Sequence, residues 1–503
     1  MPFSPQHLKL IETVKHHLPP GLHAWLVGGA LRDMLLGRPL RDLDFVLPRD
    51  TRQLAKAVAK DLSAVSFLMD EARNTIRVIH KLPDESEIYL DFIQQNGVTI
   101  RADLEARDFT INAMALELED LNTLIDPTGG LGDLHAKKLK ACGADAMLAD
   151  PVRCLRGLRL SNSLGFRLEK STITQIKTAL PQLDRSAPER IRDEVFRLFG
   201  EDHPERVLRV LDVLGGTGVL FPELLALMNT EQTSPHVLNA WEHTLASVTS
   251  LQEVLSILTR RPDQDGKSNW LMGMVSLHLG RYRDGFSDYM NECPTVGRTK
   301  RALLFFAALY HDAGKPVAAT IDEDERRHFY RHEQLGSPAI VSRGLALELS
   351  NDEIDWLERV VRNHMRIHHL AATGEGASPR AIYRFFQKAG EAGVAICLLS
   401  LADTLATYGT TITREILEKE LAICRQLLEA WWEYPERMIK PPKLLDGTGL
   451  MQELSIESGP LVGELLEAVR LAQVEGRVTT RLDALDLARH LLREGKTNPS
   501  QEA

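Results

Sequence analysis

Cysteine is scarce in this 503-residue chain, and its spacing serves no metal or redox chemistry. Cys142, Cys154, Cys293, Cys397 and Cys424 form no CxxC pair, which argues against both a thiolate metal site and a disulfide framework. Long apolar runs are missing too. The longest block, "ALLFFAALY" at residues 302–310, is about half of what a membrane span needs. The opening stretch "MPFSPQHLKLIETVKHHLPPG" holds no apolar signal core, so a reducing cytoplasm is the expected compartment and no membrane is expected as a partner. Positive charge is not in excess. A net charge of −10 argues against indiscriminate nucleic-acid binding, while leaving room for a basic face on one domain. There is no internal repeat and no low-complexity tract.

What is present is an ordinary soluble composition, 44% hydrophobic and 26% charged, in a chain long enough for three or four domains. The first part mixes strands and helices. "HAWLVGG", "LDFVLP", "AVSFLMD", "TIRVIHKL", "EIYLDFI" and "INAMALEL" read as short strands, with helices at residues 30–36 and from Thr51. From about Asp150 the strand signals give way to 3.6-residue periodicity, as in "PVRCLRGLRLSNSLGF". Linkers are expected at residues 229–235, 260–269 and 440–449, and a disordered tail at 494–503. The expected fold is α+β: a mixed-sheet head followed by helices.

"DLDF" sets Asp42 and Asp44 two apart on one strand, so both carboxylates share a face. Like charges this close repel unless a cation lies between them. Two divalent metals about 3.5–4 Å apart would resolve the repulsion and suit phosphoryl transfer. Asp91 in "IYLDFI" is the candidate third carboxylate. Upstream, a strand ending in Gly28 and Gly29 and leading into a helix offers backbone N–H groups to a triphosphate.

The order of these motifs resembles the nucleotidyltransferase superfamily that includes DNA polymerase beta. With "EARDFTINAMAL" (residues 105–116), "DPTGGLGDL" (126–134) and "ADPVRCLRGLRLSNSLGF" (149–166) in series, the chain closely resembles the class II tRNA nucleotidyltransferase and bacterial poly(A) polymerase family. The resemblance implies a polymerase beta-like head with Mg²⁺ on Asp42 and Asp44, and Gly28, Gly29 and Arg32 near the triphosphate. It implies that Arg107, Asp108 and Asn112 contact the nucleotide and its ribose. Asp150 and Arg153 would read the base of CTP or ATP without a template: the carboxylate accepts from the exocyclic amine, and the guanidinium donates. The family commonly has Glu-Asp-x-x-Arg; here Ala149 replaces the glutamate, which is expected to loosen the aim of Arg153.

Arg153, Arg156 and Arg159 recur every three residues, followed by Arg167, Lys170, Lys177, Arg185, Arg190, Arg192 and Arg197, with Glu169, Asp193 and Glu194 among them. The planar arginine fork suits phosphate. Arg156 and Arg159 are counted with the nucleotide-binding set, and the resemblance implies that this neck meets tRNA.

A second constellation begins at "ALYHDAGKP", with His311 and Asp312. His243, His332, His364 and Asp403 lie around it in sequence. Imidazoles and carboxylates suit Mg²⁺, Mn²⁺, Ni²⁺ or a mixed pair. In this order the set resembles the HD phosphohydrolase superfamily, which implies a metal site acting on phosphate esters, with Lys315 as a point charge beside it. The expected organisation is a head at residues 1–148, a helical neck at 149–228, an HD domain at 229–430 and a helical tail at 431–503.

The reading is tRNA 3′-end maturation: transfer of CMP, with or without AMP, plus a phosphohydrolase site. The alternatives are a poly(A) polymerase, and an HD phosphohydrolase whose head only binds nucleotide. Family members that complete CCA usually carry a long flexible arm between the "YLDF" strand and "RDFTIN". Here residues 93–106 are too short for it, which resembles the CC-adding members.

Overall fold

The computed structural model describes residues 3–71, 74–82, 86–259 and 269–494. Of the expected linker at 260–269 only Asn269 is described, and the expected tail beyond Glu494 lies outside the described residues. By packing, the chain divides into one unit of Met1–Val195 with Val210–Val219 and a second of Phe196–Arg209 with Leu220–Ala503.

The first unit is built on a seven-stranded mixed sheet. Its strands are β1 (Trp25–Val27), β2 (Asp42–Leu47), β3 (Val65–Asp70), β4 (Thr75–Lys81), β5 (Glu87–Gln94), β6 (Ala115–Glu117) and β7 (Asp120–Ile125), in the order β3-β4-β5-β2-β1-β6-β7. All six strands expected from alternation are present. β7, "DLNTLI", was not among them: it is an edge strand with no fully buried residue, and Asp120, Asn122 and Thr123 leave its alternation too weak to mark it. The helix Pro5–His16 was missed as well; the proline in its first turn and the capping Ser4 hydroxyl, which accepts from the His7 N–H, are its sequence signals.

β2 is central, antiparallel to β1 and parallel to β5. Leu43, Phe45, Leu90 and Phe92 are fully buried, and Phe45 stacks on Phe92 with ring centroids 5.4 Å apart. Because side chains alternate along a strand, this core face fixes the register and sends Asp42 and Asp44 to the opposite face. Burial of the four side chains contributes roughly 1.5–3 kcal/mol each, so a one-residue slip of β2 is strongly disfavoured. Residues 149–195 belong to the same unit as the sheet and hold the helices Val152–Leu164 and Lys170–Ala179 and the first part of Pro188–Gly200.

The second unit is helical. Ala240–Thr259, Lys300–Tyr310 and Gly393–Tyr408 form its centre. Among the described residues one run, Pro379–Thr411, is long and apolar enough to cross a membrane, with mean hydropathy 1.5, and 89% of that window is buried within the fold. Its hydropathy is that of a core element. Two short strand pairs interrupt the helical part of the chain: Lys138–Leu139 with Arg167–Leu168, and the hairpin Ala319–Ile321 with Arg327–Phe329. The last helices, Gly447–Leu454, Pro460–Val474 and Arg481–Glu494, share a small core of their own around Leu450, Leu465 and Ala484.

Candidate active sites

In the first unit, parallel pairing of β2 with β5 sets Asp44 directly beside Asp91. Three carboxylates, Asp42, Asp44 and Asp91, therefore meet on one face of the sheet, as their strand positions implied. Burial, then the charge of Asp91 and also that of Asp42, push the Asp44 carboxyl up to about 7 against the pull of Arg107. That is the electrostatic demand a cation would meet. Asp91 is itself bonded twice by Arg77, at 2.8 and 2.7 Å.

Gly28 sits at the end of β1 with φ +77°, and a Cβ there would come within 2.6 Å of Asp44 Oδ2 and 3.4 Å of an Arg107 guanidinium nitrogen. Only glycine leaves the backbone open at this point. Gly29 starts the helix Gly29–Leu35. From that helix Arg32 donates to Asn112 Oδ1 at 2.8 Å and bonds Asp33 through two nitrogens. Asn112 donates in turn to Asp108. Burial opposes the charge of Asp108, but Arg156 and the Phe109 N–H outweigh it and hold the carboxyl below its usual range.

A cleft of about 540 Å³ adjoins these groups, lined among others by Arg107, Asp108, Asp150, Arg153, Arg156 and Arg190. Asp150 pairs with Arg190 at 2.7 Å and with Arg153 at 3.7 Å. Arg153 is not loosened by the alanine at 149. Its guanidinium donates to the carbonyls of Ala106, Arg107 and Ala146 at 3.1–3.4 Å, so backbone acceptors do what the absent carboxylate was expected to do. Ala106, the first of these acceptors, ends the short 93–106 segment, which holds the last two residues of β5 and the six-residue helix Ile100–Glu105, capped by Thr99.

Arg156 and Arg159 both bond Glu194, which is only 2% exposed. Arg156 still reaches the cleft through Asp108, whereas Arg159 is absent from its lining. Glu194 is thus a buried counter-ion of the neck. Arg190, forty residues from Asp150, is the participant that spacing could not reveal.

In the second unit all six expected residues converge. His243 Nε2 lies 3.2 Å from Asp312 and 3.0 Å from Asp403. His311 Nε2 and His332 Nε2 each lie 3.2 Å from an Asp312 oxygen. His311, His332 and His364 set Nδ1 against the carbonyls of Ala308, Phe329 and Val361, each three residues back. An Nδ1–H donating there leaves Nε2 as a lone pair, the tautomer metal ligands adopt. The Nε2 atoms of His332 and His364 then face each other at 3.2 Å, and two lone pairs at that distance require a proton or a cation between them. Among the described residues, His243, His311 and Asp312 form one metal-capable set and Asp312, His332 and His364 another. The donor chemistry fits a divalent ion.

The charges agree. Burial disfavours ionised Asp312 and Asp403, but His311 and Lys315 beside the first, and His243 and His368 beside the second, hold both well below the usual carboxylate range. Burial, followed by His311 and His332, keeps His364 well below its ordinary value. Lys315 Nζ is pinned 2.6 Å from Asp312.

His368 was not anticipated. It bridges Asp403 at 2.9 Å and Glu420 at 3.0 Å, and these carboxylates raise it to about 10 despite burial. The site opens into a cleft of about 1130 Å³ lined also by His236 and the Arg327–Phe329 strand.

A polymerase-type head joined to an HD unit is the class that this fold and these sites define, and family models match accordingly. "Poly A polymerase head domain" matches residues 24–140, "Probable RNA and SrmB- binding site of polymerase A" residues 165–228, and "HD domain" residues 272–408. The chain is 30% identical over 472 residues to the A-adding tRNA nucleotidyltransferase of Deinococcus radiodurans, covering 93% of this chain and 94% of that one. It is likewise 30% identical to the CC-adding tRNA nucleotidyltransferase of Geobacter sulfurreducens, covering 97% and 96%. A solved CCA-adding enzyme in apo form shares the fold, with TM-score 0.61 at 18% identity over 100% of this chain and 97% of that one. The chain belongs to the tRNA nucleotidyltransferase family.

Proposed function

We propose that this chain is a cytoplasmic enzyme that extends the 3′ end of tRNA by transferring CMP from CTP, and that its helical unit hydrolyses phosphate esters. The observation that carries the first part is the register placing Asp91 beside Asp44, with the Gly28 backbone open above it.

In this reading Asp42 and Asp44 hold Mg²⁺, which when bound neutralises triphosphate charge and acidifies the 3′-hydroxyl. Asp91, with its oxygens on Arg77, adds charge behind the pair. The N–H groups following Gly28, together with Arg32, receive the triphosphate. Arg107, Asp108 and Asn112 bind the nucleotide and its ribose, whose hydroxyl satisfies polar groups that a deoxynucleotide would leave unpaired. Arg156 supports Asp108, and Arg159 acts through Glu194. Exposed Arg167, Lys170, Lys177 and Arg185 offer phosphate contacts to tRNA.

Asp150 and Arg153 read the base. A guanidinium clamped by three carbonyls has one aim, which favours a single base over a switch from CTP to ATP. The relatives at 30% identity include an A-adding and a CC-adding enzyme, so the choice of cytosine rests on the short 93–106 segment.

In the helical unit, His243, His311, Asp312, His332, His364 and Asp403 hold a divalent ion, Mg²⁺, Mn²⁺ or Ni²⁺, which when bound supplies an activated water. Lys315 and His368 fix the two aspartates.

The acceptor distinguishes this account from poly(A) synthesis. With labelled CTP or ATP, tRNA lacking its CCA end should be labelled from CTP, and an unstructured oligoribonucleotide should stay unlabelled. Processive ATP-dependent extension of the oligoribonucleotide would establish the poly(A) polymerase reading instead.

A further inference from the structure

A cavity of about 410 Å³ lies between the helices Arg366–Thr373 and Pro379–Ala389 of the second unit. Its wall carries three arginines, Arg366, Arg380 and Arg384, together with His369, Leu370 and Phe385, and among the described residues no carboxylate lines it. In a chain of net charge −10 this is an unusual concentration of one sign. Arg366 Nη1 is shut off from solvent and makes no hydrogen bond. A buried guanidinium nitrogen without an acceptor is costly, and elsewhere in this unit buried cations are matched: Arg298 is bonded twice by Glu353, and Lys315 sits on Asp312.

The cations also act on one another: Arg366, then burial, then Arg384 hold the Lys388 ammonium below its ordinary value. The N-terminus of the eleven-residue helix Pro379–Ala389, capped by Ser378, adds partial positive charge on the same side. Leu370, Ala381 and Phe385 give the cavity an apolar wall, and its volume lies in the range of small-molecule sites, roughly 300–1,000 Å³. His369 lines both this cavity and the metal-capable cleft, so the two spaces share a wall.

We propose that this cavity is a binding site for the phosphate group of a small phosphate monoester, a mononucleotide being the size that fits, with Arg366 and Arg384 as its anchors. A phosphate accepts from two guanidinium forks at once and supplies the acceptor Arg366 Nη1 lacks. The apolar wall takes the uncharged part of the ligand. The proposal stands independently of hydrolysis in the neighbouring cleft, because none of its anchoring groups is a candidate metal ligand.

The test is equilibrium dialysis of the full-length protein against labelled inorganic phosphate in EDTA, which keeps divalent ions out of both other sites. Arg366→Gln/Arg384→Gln should lose one equivalent of bound phosphate, with affinity at that site weakened at least tenfold, while Asp312→Asn and Asp44→Asn retain it. The double variant should melt no lower than the parent in phosphate-free buffer, because the change relieves repulsion. AMP should displace the phosphate. Unchanged binding in the double variant, or loss only in Asp312→Asn, would overturn the assignment. Displacement by tRNA but not by AMP would equally overturn it, making the cavity an RNA contact.

Discussion

Asp42→Ala and Asp44→Ala should each reduce nucleotide addition on the order of 10³-fold or more while leaving the fold intact. The size follows from the chemistry: a triphosphate cannot be held or attacked at this face unless its charge is neutralised, and Asp44 stands at the Gly28 opening with Asp42 exposed on the same face of the strand. The fold survives because Asp42 is exposed and Asp44 half-buried, so no core volume is lost. Asp44 adds a diagnostic sign. Its folded carboxyl is pushed up to about 7, so in metal-free protein its ionisation costs stability progressively as pH rises from about 4 through 7. Asp44→Asn should therefore abolish addition and yet melt no lower than the parent in EDTA at pH 8. Melting of the variants should be followed beside single-turnover extension of tRNA. Near-parental extension by either alanine variant would remove the metal assignment.

The second large effect is a separation of activities. His311→Ala or Asp312→Ala should eliminate metal-dependent hydrolysis of a phosphomonoester or a 2′,3′-cyclic phosphate, while tRNA extension stays within about twofold. The two sites lie in different compact units, so the loss should not spread. Asp312→Ala carries a further cost. Lys315 is only 3% exposed, and removing its carboxylate partner strands a buried charge at about 3–5 kcal/mol. His311→Gln, which keeps more of the side-chain volume, is therefore the cleaner variant. Assays should span Mg²⁺, Mn²⁺, Ni²⁺ and Co²⁺. A parent protein inactive with all four would make the helical unit a scaffold.

The head was readable because its chemistry sits on strands, where alternation assigns faces directly. Asp42, Asp44 and Asp91 are separated by apolar neighbours that must be buried, and the apolar pattern alone orients them. The HD set was readable as an ordered list of residues of ligand type. What stayed hidden are the partners that only folding brings near. Arg190 reaches Asp150 across forty residues, Glu194 neutralises Arg156 and Arg159 from the helix Pro188–Gly200, and Glu420 and His368 brace Asp403. None of these has a sequence period to betray it. The expected looseness of Arg153 failed for a related reason. Its acceptors are backbone carbonyls, which any residue supplies, so no side chain announces them.

The most direct measurement is extension of two tRNA substrates, one ending at the discriminator base and one ending in CC. With CTP the first should gain two cytidines and stop. With ATP the second should gain nothing, even at enzyme in excess over tRNA, because Arg153 is clamped and the short segment cannot re-aim it. Efficient conversion of tRNA-CC to tRNA-CCA would contradict the account.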